Sequence, residues 1–152
     1  MNVFDTAGAH TICDLVASRI RKDGADDSVF RERAVALTGT VVPALVWLRD
    51  NKGISLNIEV IRLSIELRWI WRLAMERHFA MRDPETGIET VIDSEGIPED
   101  IIWSLKTYLD ALPGYDPAKP LDQQRDQQPT KQHAFAQWYF TAAFPMPDEV
   151  TQ

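Results

Sequence analysis

Cysteine is almost absent: Cys13 is the one such residue in 152. An internal disulfide is therefore impossible, which fits a reducing compartment. Histidine is scarce too. His10, His78 and His133 stand far apart, and none has a glutamate three residues before it. The Glu-x-x-His spacing of a four-helix di-metal site is missing, and no other ligand spacing supports a metal. No run of about 18 apolar residues occurs, so no segment reads as a membrane span. The start, Met1-Asn2-Val3-Phe4-Asp5, lacks the basic and apolar regions of a secretory signal. Nor is there a glycine-rich loop ending in Lys-Ser or Lys-Thr, whose backbone N–H groups would wrap a phosphate chain. Gly-x-Gly-x-x-Gly and the Gly-x-Ser-x-Gly elbow are missing as well. The expectation is a domain with no catalytic residue, no cofactor and no metal of its own.

What is present is apolar and helical. Hydrophobic residues make up 45% of the chain, enough for one core, and five are tryptophan. The formal charge is −7, which repels a phosphate backbone and makes non-specific nucleic-acid binding a poor default. Ile12, Cys13, Val16 and Ile20 recur at helical spacing and predict a helix over 6–22, stopped by Gly24. An acidic loop, Asp23 to Asp27, separates it from a second helix that Ser28 caps and that reaches about Asp50. The stripe Phe30, Ala34, Leu37, Val41, Leu45 and Leu48 keeps phase across Pro43, so one kinked helix is expected. Asn57 caps a third segment, 58–78, as one helix or as two with Ser64 opening the second. Its stretch from Leu63 to Met75 is apolar nearly all round, the mark of a central helix.

A hairpin follows, with Ala80-Met81-Arg82 and Ile88 to Ile92 flanking Asp83-Pro84-Glu85-Thr86-Gly87. Pro98, Glu99 and Asp100 suit the first turn of a helix that ends at Leu112-Pro113-Gly114-Tyr115. Residues 116–129 read as a polar loop. Thr130 caps a last helix, 131–144, and Pro145 and Pro147 terminate it. The expected fold is all-α: a domain of about five to six helices with one small β-hairpin over 1–144, and a tail over 145–152.

Two surfaces are candidates for binding. Trp103 lies about 160° round its helix from the apolar face, beside Lys106. Either it meets a partner, or the hairpin or the loop after Tyr115 covers it. The basic residues Arg19, Arg21, Lys22, Arg31 and Arg33 surround the first loop and form either a solvated face or a site for DNA or an acidic protein. Arg62 with Glu66, and Arg72 with Glu76, have the spacing of helical ion pairs. The last helix carries Phe135, Trp138, Tyr139, Phe140 and Phe144, leaving Gln137 and Thr141 as its polar stripe. Its aromatics are expected to be buried in the domain or to pack against a larger protein. Cys13 reads as a core residue.

Four stretches in order then resemble a known family. They are Val42-Pro43-Ala44-Leu45-Val46-Trp47-Leu48-Arg49-Asp50, Leu56-Asn57-Ile58-Glu59-Val60-Ile61-Arg62, Tyr108-Leu109-Asp110-Ala111-Leu112-Pro113-Gly114-Tyr115 and Lys131-Gln132-His133-Ala134-Phe135-Ala136-Gln137. Together they resemble the all-alpha domain of type IV coupling proteins, in the branch serving IncI-type conjugative plasmids and the Dot/Icm secretion system. The resemblance implies a membrane-anchored, hexameric, DNA-translocating ATPase as the parent, with this domain inserted on its cytoplasmic side. It implies as partners the relaxase and relaxosome proteins or secreted effector proteins, the parent's ATPase domain, and DNA at most weakly. It implies no membrane contact by this segment and no catalytic residue within it. The sequence departs from a whole family member in lacking both nucleotide motifs and a transmembrane segment. The other reading of the residues is a free-standing helical adaptor that binds a protein through Trp103 and the last helix.

Overall fold

Between Leu37 and Leu48 the chain has too few polar residues to leave a wet face, and this stretch becomes the centre of the molecule. The computed structural model describes residues 3–21, 29–82 and 85–145. Lys22, the acidic loop, the Ser28 cap, Asp83 and Pro84 of the hairpin turn, and the tail beyond Pro145 lie outside the described residues.

The chain is all-α with one small hairpin. Its helices are α1 (Val3–Thr6), α2 (Ala9–Arg21), α3 (Val29–Lys52), α4 (Ile58–Ser64), α5 (Leu67–Glu76), α6 (Glu99–Ala111) and α7 (Gln128–Ala143). Strands β1 (His78–Arg82) and β2 (Glu89–Asp93) pair antiparallel, Phe79 opposite Ile92 and Ala80 opposite Val91. The one helix beyond the five to six expected is α1. Residues Ala7 and Gly8 separate α1 from α2, and the Arg49 guanidinium occupies the break, donating to the carbonyls of Phe4 (2.8 Å) and Ala7 (2.7 Å). The third segment is two helices. Ser64 closes the first instead of opening the second, its hydroxyl donating to the Val60 carbonyl at 2.7 Å. Asn57 caps α4 as expected, its side-chain oxygen accepting from the Val60 N–H at 2.9 Å.

Helix α3, not the α4–α5 segment, is the central one. The expected stripe is buried except at Phe30, which is half-covered, and Thr38, Thr40, Val42 and Val46 on its other sides are buried too. It packs against α2, α4, α6 and α7. Thr38 is tolerated inside because its hydroxyl donates to the Ala34 carbonyl at 3.0 Å. The helix runs unbroken through Pro43. Proline removes the donor that would bond the Gly39 carbonyl, and Gly39 lies on the exposed side, where water can replace it.

The other elements wrap this axis. Arg77 pairs with Glu99 at 2.9 Å and its carbonyl accepts from the Ser94 hydroxyl at 2.6 Å, joining the base of the hairpin to the start of α6. At the end of α6, Gly114 has φ 82°, and a Cβ there would sit 2.7 Å from the Gln128 side chain. Only glycine fits both conditions.

The segment 116–127 is polar in composition but tied down. Gln124 is buried within it; its amide oxygen accepts from the Asp116 N–H (2.7 Å) and its NH2 donates to the carbonyls of Asp116 (2.8 Å) and Lys119 (2.9 Å). Helix α7 begins at Gln128, with Pro129 in its first turn, so Thr130 lies inside the helix and does not cap it.

Two outcomes test this architecture. Leu45, fully enclosed at the middle of α3, should cost about 2–5 kcal/mol on replacement by alanine, read from urea unfolding. Gln124→Ala should leave 116–127 without its internal bonds, and limited proteolysis should cut there several-fold faster than in the parent chain.

Candidate functional site

The roll of α7 about its axis decides which of its aromatic residues reach solvent. Pro129, His133, Ala136 and Phe140 are buried on one face, and Phe144 is buried just beyond the helix. The opposite face carries Phe135, 53% exposed, and Trp138, 62% exposed. Gln137 is half-buried while these two rings are not, so the expected polar stripe of Gln137 and Thr141 is not the only outward face.

The roll is held by His133. Its Nε2 lies 2.6 Å from the Ile65 carbonyl and its Nδ1 lies 2.8 Å from the Tyr108 hydroxyl. A carbonyl oxygen can only accept, so Nε2 carries the proton, and Nδ1 accepts from Tyr108. Ile65 is the residue that caps the C-terminal end of α4, where the helix leaves a carbonyl without a backbone donor. His133 supplies that donor inside the core. Burial, assisted by the nearby Arg33 charge and opposed by the Ile65 carbonyl, pushes the His133 pKa down to about 4. Burial raises that of Tyr108, against the pull of Arg33. In the sequence His133 stands as one of three scattered histidines and within one of the four family-like stretches; its spacing from Pro129, Ala136 and Phe140 on one helical face is the signal of its burial.

Among the described residues, the expected basic side chains Arg19, Arg21, Arg31 and Arg33 each contact a ring or a carboxylate. Arg21 is committed to Glu32 at 3.0 Å, a contact that holds the Glu32 carboxyl below its usual range. Arg19 lies over the Phe144 ring at 5.2 Å, Arg31 over Tyr139 at 5.2 Å and Arg33 over Phe30 at 5.4 Å. Arg33 also donates to the Gln132 side chain at 3.4 Å. Three of the expected basic residues therefore border α7 and its flank. Arg72 pairs with Glu76 (3.6 Å) as its spacing suggested, and also with Glu89 (3.1 Å). Arg62 does not use Glu66: it pairs with Glu59 at 2.9 Å and donates to the Phe144 carbonyl, because the end of α7 presents an acceptor on that side.

Trp103 is 69% exposed, and neither the hairpin nor the loop after Tyr115 covers it. It walls a groove of about 250 Å³ between α3 and α6, floored by Ala36, Thr40, Ser104 and Ala111, with Arg33 also lining it. Lys106 is exposed on a different side of α6, lining a depression with Met75 and Tyr115, so it does not share the Trp103 groove. A larger groove of about 500 Å³ runs between α4 and the hairpin, past Leu63, Phe79, Met81 and Ile92. Cys13 is half-buried, its thiol pushed up mainly by desolvation. Among the described residues no group of three His, Cys, Asp or Glu could hold a metal ion. No helix among them is long and apolar enough to cross a membrane.

The class this defines is a helical domain whose outward chemistry is aromatic and arginine-bearing. Compared with known proteins, the chain is 27% identical over 146 residues to the type 4 coupling protein DotL of Legionella pneumophila subsp. pneumophila (strain Philadelphia 1). The aligned region covers 95% of this chain and 18% of that protein. The chain is thus a coupling-protein-related domain, in line with the resemblance seen in its motifs, and spans under a fifth of that relative's length. No family model matches it.

The His133 bridge has a pH signature. Its pKa is about 4 in the folded chain against 6.5 ordinarily. Between these values the unfolded chain takes up a proton that the native imidazole refuses. Stability is therefore full above the ordinary value and declines by about 3 kcal/mol as pH falls to the folded one. Urea unfolding at pH 7 and pH 4.5 should show that decline, and His133→Gln should be less stable at pH 7 but lose less on acidification.

Proposed function

We propose that this chain is a substrate-recruiting domain of a type IV coupling protein, binding a protein cargo and performing no catalysis of its own. The observation that carries the reading is the match of nearly the whole chain to a segment of a coupling protein. Two features of the surface support it. Trp103 stands exposed at the wall of a groove floored by small side chains, an arrangement suited to anchoring a partner's side chain. Of the basic residues expected for DNA or an acidic protein, Arg21 is paired with Glu32, and the net charge of −7 repels a phosphate backbone. The cargo class is the relaxase with its relaxosome, or secreted effector proteins. The domain would work on the cytoplasmic side of the inner membrane beside the ATPase domain of its parent.

Interferometry with the immobilised chain tests this against relaxosome and secreted proteins of the same cell. Binding is expected, with Trp103→Ala costing at least ~2 kcal/mol, roughly thirtyfold in Kd. With magnesium and ATP the chain should turn over nucleotide only at background. Absence of binding to any of these proteins, or ATPase activity that follows the chain through successive columns, would overturn the proposal.

A further inference from the structure

Helix α7 has no aspartate or glutamate in its 16 residues, in a chain with 23 acidic residues and a net charge of −7. Its outward stripe is Lys131, Ala134, Phe135, Trp138 and Ala142, at the three- and four-residue steps of one helical face. The arginines of the domain divide accordingly. Arg21, Arg49, Arg62, Arg72 and Arg77 each meet a carboxylate. Arg19 and Arg33, packed at the two ends of α7, meet aromatic rings and have no carboxylate partner among the described residues. Phe30 stacks on Phe135 at 5.0 Å, which extends the apolar surface onto α3.

We propose that the outward face of α7 is a docking surface for an acidic, amphipathic helical segment of a partner protein. The exposed alanines at 134 and 142 are small side chains beside the two rings, which leaves room there for a partner's aliphatic side chains. Lys131, Arg33 and Arg19 stand along the border where that segment's carboxylates would fall. The charge complementarity is local: elsewhere the acidic surface would repel such a segment. A single-stranded nucleic acid could stack on the same rings, but three uncompensated cations on a chain of net charge −7 give a phosphate chain little to hold. This rests on the recruitment reading for the partner's being a protein, and adds the surface and its chemistry; it meets the Trp103 groove at Arg33, which lines both.

The test uses the full 152-residue chain and three fluorescent probes: a helical peptide with leucines at the i, i+3, i+4 and i+7 steps and glutamates between them, the same peptide with lysines for glutamates, and an oligo-dT strand. Anisotropy should show the glutamate peptide binding at least tenfold tighter than the lysine peptide, and more weakly at high salt. Phe135→Ala and Trp138→Ala, both at exposed sites, should each weaken it about tenfold with unchanged circular dichroism, and Lys131→Glu should weaken it several-fold. Trp103→Ala should leave it unchanged. Tighter binding of oligo-dT than of the glutamate peptide overturns the proposal. So does loss of peptide binding on Trp103→Ala but not on the α7 substitutions, an outcome that leaves recruitment through Trp103 standing. Self-association of the chain that Trp138→Ala abolishes would assign the face to a second copy and likewise overturn it. If the glutamate peptide binds at α7 while no relaxosome or secreted protein binds the chain, the α7 surface stands and the recruitment reading fails.

Discussion

A single buried imidazole holds three helices of this domain in register. The break between α4 and α5 leaves the Ile65 carbonyl in the core, where an unpaired acceptor costs ~1–3 kcal/mol. His133 reaches from α7 to supply the donor at 2.6 Å, and passes its other nitrogen to Tyr108 on α6 at 2.8 Å. Both contacts have one allowed direction, because the carbonyl cannot donate and the neutral ring carries one proton. An apolar residue at 133 could pack but could not specify the rotation of α7 in this way. The rotation matters beyond stability, because it turns Phe140 inward and Phe135 and Trp138 outward.

The electrostatics follow from that arrangement. With α7 seated, Tyr139 and Phe144 offer rings to Arg31 and Arg19, and Phe30 of α3 offers one to Arg33. A guanidinium can lie flat on a ring while its edge stays hydrated, so these arginines need not be neutralised by a carboxylate to be accommodated. Arg21, Arg49, Arg62 and Arg77 are instead ion-paired, and Arg72 both pairs with carboxylates and lies over Trp69. An acidic domain thereby retains a limited region that is apolar and positive. Its likeness to a segment of a coupling protein gives that region a context.

Much of the architecture was legible because it rests on local rules. The Asn57 cap, Pro98 ahead of α6, the paired strands of the hairpin and the phase held across Pro43 each depend on residues a few positions apart. The all-α class with one hairpin followed from them. The misplacements were of the other kind. Thr130 and Ser64 are plausible caps, but α7 starts earlier at Gln128, and the Ser64 hydroxyl turns back to Val60. Glu66 has the right spacing from Arg62, yet Arg62 turns to Glu59 and to the end of α7. In each case spacing named an allowed partner, and a contact made elsewhere in the structure took precedence.

The sequence by itself determined where helices could form, that the chain had to build one core, and that it lacked the phosphate-binding loops of common nucleotide sites. It also determined that aromatic residues would crowd the last helix. Which of those aromatics face water was decided only by tertiary structure. Phe135 and Phe140 are the same side chain on the same helix, and they differ because His133 must meet Ile65 and Tyr108. Trp103 and Lys106 are three residues apart, yet they line separate grooves, because α3 lies on one side of α6 and α5 on the other. Pattern along a chain records what a residue can do; its neighbours from distant segments determine which side of it is left uncovered.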